Sequence, residues 1–141
     1  VFGDWSSDVC SSDLKESNLW NIHPKASILD ALKIMSLRDI GALPVMDELG
    51  LVGIISERDF IHVIAKLQRC EIDRKIDRYM NKKVITVTPD TSLDECMSIM
   101  AKKRVRHLPV LDGKELVGLI SYGDVIRAIV KMREEEDSSK E

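Results

Sequence analysis

The sequence predicts a mixed α/β (α+β) fold in which two β-α-β-β-α repeats pack face to face with pseudo-twofold symmetry. Three observations lead to this prediction: an internal repeat at constant offset, alternating strand-like and helix-like apolar patterns within each copy, and a length suited to one compact core. The chain has 141 residues, of which 44% are hydrophobic and 32% are charged, values that are ordinary for a globular protein.

The internal repeat has a constant offset of 65 residues, so that residues 19–66 align without a gap on residues 84–131. Identical residues occupy 17 of these 48 pairs, where ordinary composition would give roughly three by chance. One copy of about fifty residues would bury too little apolar surface to be stable alone, and two copies packed together solve this problem. We therefore expect repeat 1 at residues 15–67 and repeat 2 at residues 84–132.

Each copy begins with a short extended piece and a capped helix. Trp20–Ile22 and Ile85–Val87 are strand-like and stop near a proline. Ser27–Asp30 and Ser92–Glu95 match the capping box, in which the serine hydroxyl accepts a backbone N–H and the acid reaches back. The helices that follow should bury one apolar face, formed by Ile28, Leu32 and Met35 in repeat 1 and by Leu93, Cys96, Met97 and Met100 in repeat 2.

Two strands and a second helix complete each copy. Leu43–Met46 and Leu108–Leu111 are predicted strands, and Leu51–Ile55 and Leu116–Ile120 are apolar enough to be buried strands. The closing helices should then direct a row of apolar side chains toward the core. These are Phe60, Ile61, Ile64 and Leu67 in repeat 1, and Val125, Ile126, Ile129 and Met132 in repeat 2.

Three segments lie outside the two copies. Residues 1–14 share no pattern with the rest, and Asp4–Leu14 matches the translation of a sequencing-adapter oligonucleotide, so we expect a non-native leader. A natural disordered leader is the alternative. Residues 68–83 are charged, with apolar residues at helical spacing, which predicts a bridging helix packed on the second copy. Residues 133–141 should form a disordered acidic tail.

Charge and cysteine content exclude several classes of protein. A net charge of −3 gives no concentrated basic surface for nucleic acid, and no apolar run approaches the roughly 18–20 residues needed to cross a bilayer. Cys10, Cys70 and Cys96 are odd in number and widely spaced, which is typical of a reducing compartment. We therefore expect a soluble cytoplasmic protein without nucleic-acid or membrane partners, with Cys96 in the core at the position equivalent to Ala31.

The residues suited to chemistry lie where a buried strand becomes a helix. Gly53–Asp59 and Gly118–Asp124 each contain a serine and, three residues later, an aspartate. The first turn of a helix offers free N–H groups and a positive dipole to a phosphate, and a carboxylate can accept two hydrogen bonds from a ribose diol. Simple helix capping explains the same Ser-x-x-Asp spacing, and spacing alone favours capping by about two to one.

A second pair of segments shifts this balance toward ligand binding. Ile40–Pro44 and Val105–Pro109 enter a strand through a proline. Because proline has no backbone N–H, nearby backbone groups should remain unpaired. Such groups could bond to the edge of a planar base.

Together these segments resemble the paired cystathionine-β-synthase (CBS) domains, or Bateman module. The resemblance covers nearly all of residues 16–132 and depends on the element order, the runs LPVxD and LVGhhSxxD (h, apolar), and their duplication. The chain is most similar to the small stand-alone CBS-pair proteins of bacteria and archaea. The resemblance implies binding of an adenosine derivative (AMP, ADP or ATP, or S-adenosylmethionine or NADH) in two clefts between the repeats, with no required cofactor and no metal.

The resemblance also implies that each site joins the Ser-x-x-Asp of one repeat to the pre-strand segment of the other. The aspartate would bind the ribose diol, the serine would contact phosphate, and apolar residues would sandwich the adenine. One site would contain Ser121 and Asp124, backed by Leu119, with Ile40, Gly41, Ala42 and Pro44. The other would contain Ser56, Arg58 and Asp59, backed by Ile54, with Val105, Arg106, His107 and Pro109.

The two expected sites differ in charge. One has three side chains able to pair with phosphate, whereas their counterparts are small and uncharged. We expect the arginine-bearing site to bind a phosphorylated nucleotide, and the other to be weaker, empty or suited to uncharged adenosine, although Arg106 could serve either. The three are Arg58, Arg106 and His107, and the counterparts are Gly123, Gly41 and Ala42.

The expected function is a stand-alone regulator that senses adenylate charge or a related metabolite and signals to an effector protein through a change in cleft or dimer geometry. Two alternatives stay open: a detached regulatory segment of a larger enzyme or transporter, and a structural dimerisation module whose Ser-x-x-Asp motifs only cap helices. Catalysis is not expected, because His107 has no nucleophile near it in sequence. The resemblance also implies a homodimer.

Overall fold

The computed structural model of the protein describes residues 20–68 and 72–139. The chain divides into two units, of which one comprises Trp20–Val84 and the other includes the described residues from Ile85 onward. Each unit has a short bridging strand, a helix, a two-stranded antiparallel sheet and a second helix. The predicted mixed α/β class and the duplicated β-α-β-β-α order are therefore confirmed.

The first unit is built around a β-hairpin. β1 and β2 are antiparallel, with Val45 opposite Gly53 and a bulge after Val45. The predicted initial strand is reduced to Ile22, whose N–H donates to the carbonyl of Pro44 (3.0 Å) and whose carbonyl accepts from the N–H of Met46 (2.9 Å). The elements are α1 (Ile28–Arg38), β1 (Ala42–Asp47), β2 (Gly50–Ser56) and α2 (Glu57–Leu67).

The second unit repeats this arrangement, with Val110 opposite Gly118 and the same bulge after Val110. Its elements are α3 (Leu93–Lys103), β3 (His107–Asp112), β4 (Glu115–Ser121) and α4 (Tyr122–Ser139). α4 extends further than expected, since residues 133–139 are helical where the sequence predicts a disordered tail. Consecutive glutamates are good helix formers, which explains the extension. Residues 140 and 141 and the predicted leader at residues 1–14 lie outside the described residues.

The capping box predicted at the start of α1 is complete. The Ser27 hydroxyl accepts from the N–H of Asp30, and the Asp30 carboxylate accepts from the N–H of Ser27, both at 3.1 Å. The bond from the backbone N–H of Ser27, and after it the Ser27 side chain, favour the ionised carboxylate and lower the pKa of Asp30. At α3 only half of the box is present in the described region: the Ser92 hydroxyl accepts from the N–H of Glu95 at 3.2 Å, without the return bond.

Each unit has its own apolar core. Leu43 and Ile55 are fully buried in the first unit, and Leu108 and Ile120 hold the equivalent positions in the second. Cys96 is 0% exposed, like its counterpart Ala31, so the predicted core role of this cysteine is confirmed. Burial raises the pKa of the Cys96 thiol to about 11, and the side chain therefore stays protonated and unreactive near neutral pH.

The closing helices turn a different face to the core than predicted. Phe60 and Val63 are buried in α2, and Val125 and Ala128 are buried in α4. The inward orientation predicted for five other apolar residues is wrong. Both helices have apolar residues on two adjacent faces, so periodicity is compatible with either, and packing against the sheet selects one. The exposed residues are Ile61, Ile64, Ile126, Ile129 and Met132.

The linker between the repeats packs on the first unit, and the predicted packing on the second copy is wrong. Its regular structure in the described residues is a 3₁₀ turn, Ile76–Arg78, and Ile76 is fully buried in the first core. The carbonyls of Arg74 and Ile72 accept from the N–H groups of Ile28 and Leu29, each at 2.9 Å. Those donors belong to the first turn of α1 and have no acceptor within the helix, so they hold the linker on this unit.

Replacing Ile76 with alanine should lower the free energy of unfolding by about 2–4 kcal/mol, because the change leaves a cavity in the first core. Urea denaturation followed by circular dichroism measures the change. Leu37→Ala is the matched control: its side chain is 78% exposed, so its effect should stay within about 0.5 kcal/mol. Equal effects of the two substitutions would contradict the placement of the linker.

Candidate functional site

Each Ser-x-x-Asp motif lies at a junction between a strand and a helix. Ser56 ends β2 and Ser121 ends β4, and the aspartates Asp59 and Asp124 follow in the first turn of the next helix. In the hairpin register Ser56 is opposite Ala42, and Ser121 is opposite His107. The fold thus brings each motif beside the pre-strand segment of its own repeat.

Both aspartates act as helix caps. The Oδ2 atom of Asp59 accepts from the N–H of Ser56, and the Oδ2 atom of Asp124 accepts from the N–H of Ser121, each at 2.8 Å. Asp59 Oδ2 also accepts from the Ser56 hydroxyl (3.1 Å), whereas the Ser121 hydroxyl accepts from the N–H of Asp124 (3.2 Å). Capping uses one oxygen of each carboxylate. Because a carboxylate offers two oxygens and about four acceptor positions, capping does not exclude a ribose.

The second oxygen of the two aspartates has different surroundings. Asp124 Oδ1 accepts from Nη2 of Arg127 at 2.5 Å, whereas Oδ1 of Asp59 has no partner in the described part of the chain. Sequence reasoning missed Arg127, although its i,i+3 spacing from Asp124 on a helix was a usable signal. Its counterpart in repeat 1 is His62. The charge difference between the motifs is therefore smaller than Arg58 and Gly123 alone indicate.

The backbone carbonyls of the pre-strand segments are occupied. Gly41 and Arg106 accept from the first N–H of α2 and α4, both at 3.0 Å, and Pro44 and Pro109 accept from the initial bridging residues, also at 3.0 Å. The expectation of unpaired backbone groups is wrong for these four carbonyls. The first N–H groups of a helix have no acceptor inside it, and the nearest carbonyl satisfies them. Each carbonyl still retains a second lone pair.

The expected adenine-contacting side chains fall into two groups. Ala42, Pro44 and Pro109 are buried and belong to the protein interior. Gly41 and four apolar side chains are half-buried and keep surface that a base could cover. Among the polar candidates, Arg58 and Arg106 are exposed and His107 is half-buried. The four half-buried apolar side chains are Ile40, Ile54, Val105 and Leu119.

The linker covers the outer edge of β2. The N–H and carbonyl of Ile54 both bond to the backbone of Asn81, at 3.0 and 2.8 Å. Met80 approaches so closely that a Cβ atom at Gly53 would lie 2.7 Å from its sulfur. Glycine is therefore needed at residue 53 for the linker to pack, and the backbone of Ile54 already has partners on this edge.

Residues 20–68 and 72–139 contain neither a metal-binding cluster nor a helix suited to span a membrane. No group of three or more histidine, cysteine, aspartate or glutamate side chains could hold a metal ion there. No helix of this described part combines the length and apolarity needed to cross a membrane.

The sequence profile of the CBS domain family matches residues 8–66 and 75–131. The chain is 37% identical over 138 residues to the CBS domain-containing protein CBSX3, mitochondrial, of Arabidopsis thaliana, and this match covers 92% of the chain and 66% of that protein. It is 38% identical over 106 residues to a 33.4 kDa protein of Thermofilum pendens, covering 74% of the chain and 34% of that protein. The chain thus spans between a third and two thirds of these relatives.

Similar sequence also occurs inside an enzyme. Inosine-5′-monophosphate dehydrogenase of Thermoplasma acidophilum is 33% identical over 110 residues, which cover 77% of the chain and 21% of the dehydrogenase.

Solved structures of paired CBS domains share the fold. A signal-transduction protein with CBS domains from Burkholderia ambifaria superposes with a TM-score of 0.75 at 38% identity, covering 80% of this chain and 83% of that one. CBSX2 in complex with AMP gives 0.72 at 27% identity, covering 83% and 91%. The CBS pair of MJ0100 in complex with 5′-methylthioadenosine and S-adenosyl-L-methionine gives 0.72 at 30% identity, covering 80% and 89%.

Asp124→Ala should lower the free energy of unfolding by about 1 kcal/mol, because the N–H of Ser121 loses its acceptor at the start of α4. Urea denaturation at neutral pH measures this loss. Asp137→Ala, which removes an exposed carboxylate late in the same helix, should change stability by less than about 0.5 kcal/mol. An equally small effect at Asp124 would contradict the capping role.

Proposed function

The chain belongs to the CBS domain family, and on that premise we propose that it is a regulatory module that binds an adenosine-containing ligand. AMP and ATP are the first candidates, with S-adenosylmethionine and NADH next. The observation that carries the proposal is the duplicated junction at which an aspartate in the first turn of a helix stands beside the start of a strand. The complexes of CBSX2 with AMP and of MJ0100 with two adenosine compounds support adenosine as the common part of the ligand.

In the proposed mode of binding, the aspartates hold the ribose diol and the serines lie near phosphate. Asp59 is suited to this role because Oδ2 holds the cap and Oδ1 has no partner among the described residues. The half-buried apolar positions, Ile40, Ile54, Val105 and Leu119, are proposed to cover the adenine. The joining of segments from different repeats into one site stays a prediction of the family resemblance.

The two motifs are proposed to bind with unequal strength. Arg58 is exposed in the first turn of α2, where it can turn toward a phosphate placed at the helix start. The corresponding residue of repeat 2 is Gly123, which has no side chain to offer. The tighter phosphate site is therefore assigned to the motif with Arg58 and Asp59.

We propose that the protein has no catalytic role. Its proposed output is a ligand-dependent change in the geometry of the module, which is transmitted to an effector protein. A ligand can drive such a change only if it binds two states of the protein differently. A second candidate function is that of a regulatory segment within a larger enzyme. The inosine-5′-monophosphate dehydrogenase supports it, because the matching segment covers 21% of that enzyme. The gene sequence on either side of this segment would separate the two candidates.

The proposed compartment is the cytoplasm, on the basis of the cysteine content, although CBSX3 is named as mitochondrial.

A thermal shift assay with AMP, ATP and S-adenosylmethionine tests binding directly. A ligand present at 100 times its Kd should stabilise the protein by about 2.7 kcal/mol, which raises the melting temperature by several degrees. The shift should vanish in the Asp59→Ala/Asp124→Ala double variant and persist in Asp137→Ala.

Calorimetry with AMP on the single variants tests the inequality of the motifs. Asp59→Ala should weaken AMP binding more than Asp124→Ala does. Absence of any shift with every ligand would favour the structural dimerisation module, and equal losses in the single variants would contradict only the inequality.

A homodimer is also proposed, because both repeats leave matching apolar side chains exposed on their closing helices. Ile61 is 66% exposed in α2, and its equivalent Ile126 is 60% exposed in α4. Covering such side chains with a second copy would remove apolar surface from water.

Sedimentation velocity should give a dimer for the unsubstituted protein and a monomer for Ile61→Glu/Ile126→Glu, because a charge buried without a partner is costly. Leu49→Glu is the matched control: Leu49 is 90% exposed in a hairpin turn, and its substitution should leave the dimer intact. A monomer at micromolar concentration before substitution would refute the dimer.

A further inference from the structure

Asp124 is the more fully engaged of the two motif aspartates. Its Oδ2 atom accepts from the N–H of Ser121 at 2.8 Å, and its Oδ1 atom accepts from Nη2 of Arg127 at 2.5 Å. The Asp124 side chain is 19% exposed, whereas that of Arg127 is 69% exposed. The arginine therefore lies on the outside of the pair and can move away without opening the core.

Gly123 provides the space for this arginine. A Cβ atom at residue 123 would lie 3.1 Å from Nη1 of Arg127, which is tighter than an ordinary contact. The guanidinium thus lies over the first turn of α4, where the positive end of the helix dipole favours an anion. Glycine at residue 123 therefore leaves room for the guanidinium of Arg127, which belongs to the next turn of α4.

Repeat 1 lacks this arrangement. Arg58 stands where repeat 2 has Gly123, and His62 stands where repeat 2 has Arg127. Oδ1 of Asp59 has no partner within the described ranges. A ribose would meet an available carboxylate oxygen in repeat 1, and one already paired with a guanidinium in repeat 2.

We propose that Arg127 is a specificity-determining residue that makes the Asp124 motif select phosphorylated adenosine ligands over the uncharged nucleoside. This inference rests on the proposed adenosine-binding function. A ribose diol must share Oδ1 with the guanidinium, and a nucleoside offers the guanidinium no acceptor of comparable strength in return. A nucleotide offers its phosphate, to which arginine forms charge-assisted, bidentate hydrogen bonds. On this proposal repeat 2 is selective despite its glycine at residue 123, which differs from one of the three sequence expectations for this site, that it suits uncharged adenosine.

The test measures the Kd values of AMP and adenosine by calorimetry in the full chain carrying Asp59→Ala, which removes the ribose carboxylate of repeat 1. Adding Arg127→Gln should tighten adenosine binding by about two- to fivefold, the range expected from losing an exposed ion pair. AMP binding should weaken in the same variant. The ratio of the adenosine Kd to the AMP Kd should therefore fall by more than about twofold.

Arg133→Gln is the matched control, because Arg133 is exposed on the same helix beyond the motif. It should leave the Kd ratio unchanged, and circular dichroism should report the same helix content in all variants. An unchanged ratio in Arg127→Gln, or an equal weakening of both ligands, would overturn the inference while leaving the proposed function intact. Failure of the unsubstituted protein to bind any of AMP, ATP, adenosine, S-adenosylmethionine and NADH would overturn the proposed function and the inference together.

Discussion

At the end of the hairpin in each repeat, an aspartate accepts a hydrogen bond from the backbone N–H of the serine three residues before it, at 2.8 Å. This bond starts the closing helix directly at the strand end, so the hairpin, the helix and the carboxylate have one fixed relation to each other. The capping bond uses one oxygen of each carboxylate; among the described residues the other oxygen is unpaired in Asp59 and paired with Arg127 in Asp124. In the proposed function, capping and ligand binding are two uses of the same residue, and the structural role supplies the preorganisation that binding needs.

The duplication makes the two repeats equal in backbone and allows them to differ in side chains. The register, the bulge after Val45 or Val110, and the capping bond are the same in both. Around this common frame, Arg58 and His62 in repeat 1 are exchanged for Gly123 and Arg127 in repeat 2. The cation near each motif comes from a different turn of the helix: Arg58 precedes Asp59 in the first turn of α2, whereas Arg127 lies one turn beyond Asp124. Of the two motif carboxylates, only that of Asp124 is therefore paired with a cation among the described residues.

The repeat and the order of its elements were predictable from sequence because they depend on local patterns: apolar periodicity, capping residues and the constant offset. Cys96 was correctly placed in the core because Ala31 is its counterpart. The position of the linker was not predictable, because it depends on N–H groups of α1 that need acceptors from a distant part of the chain. The buried face of α2 was mispredicted for a related reason: Phe60 and Ile61 are both apolar, and only the sheet determines which one turns inward. At the candidate site the Ser-x-x-Asp motifs are predictable from sequence. Arg127 is not evident from the alignment of the repeats, because its aligned residue is His62, and its pairing with Asp124 follows from their i,i+3 spacing on α4.

The most direct test of the central claim is an NMR titration of the labelled protein with AMP and with its 2′,3′-dideoxy analogue, which lacks the diol. The account predicts that AMP shifts the amide resonances of Ser56 and Ser121, which donate to the two carboxylates, and that the analogue binds at least about tenfold more weakly. Equal affinity for the two compounds, or binding that leaves both serine amides unchanged, would contradict it.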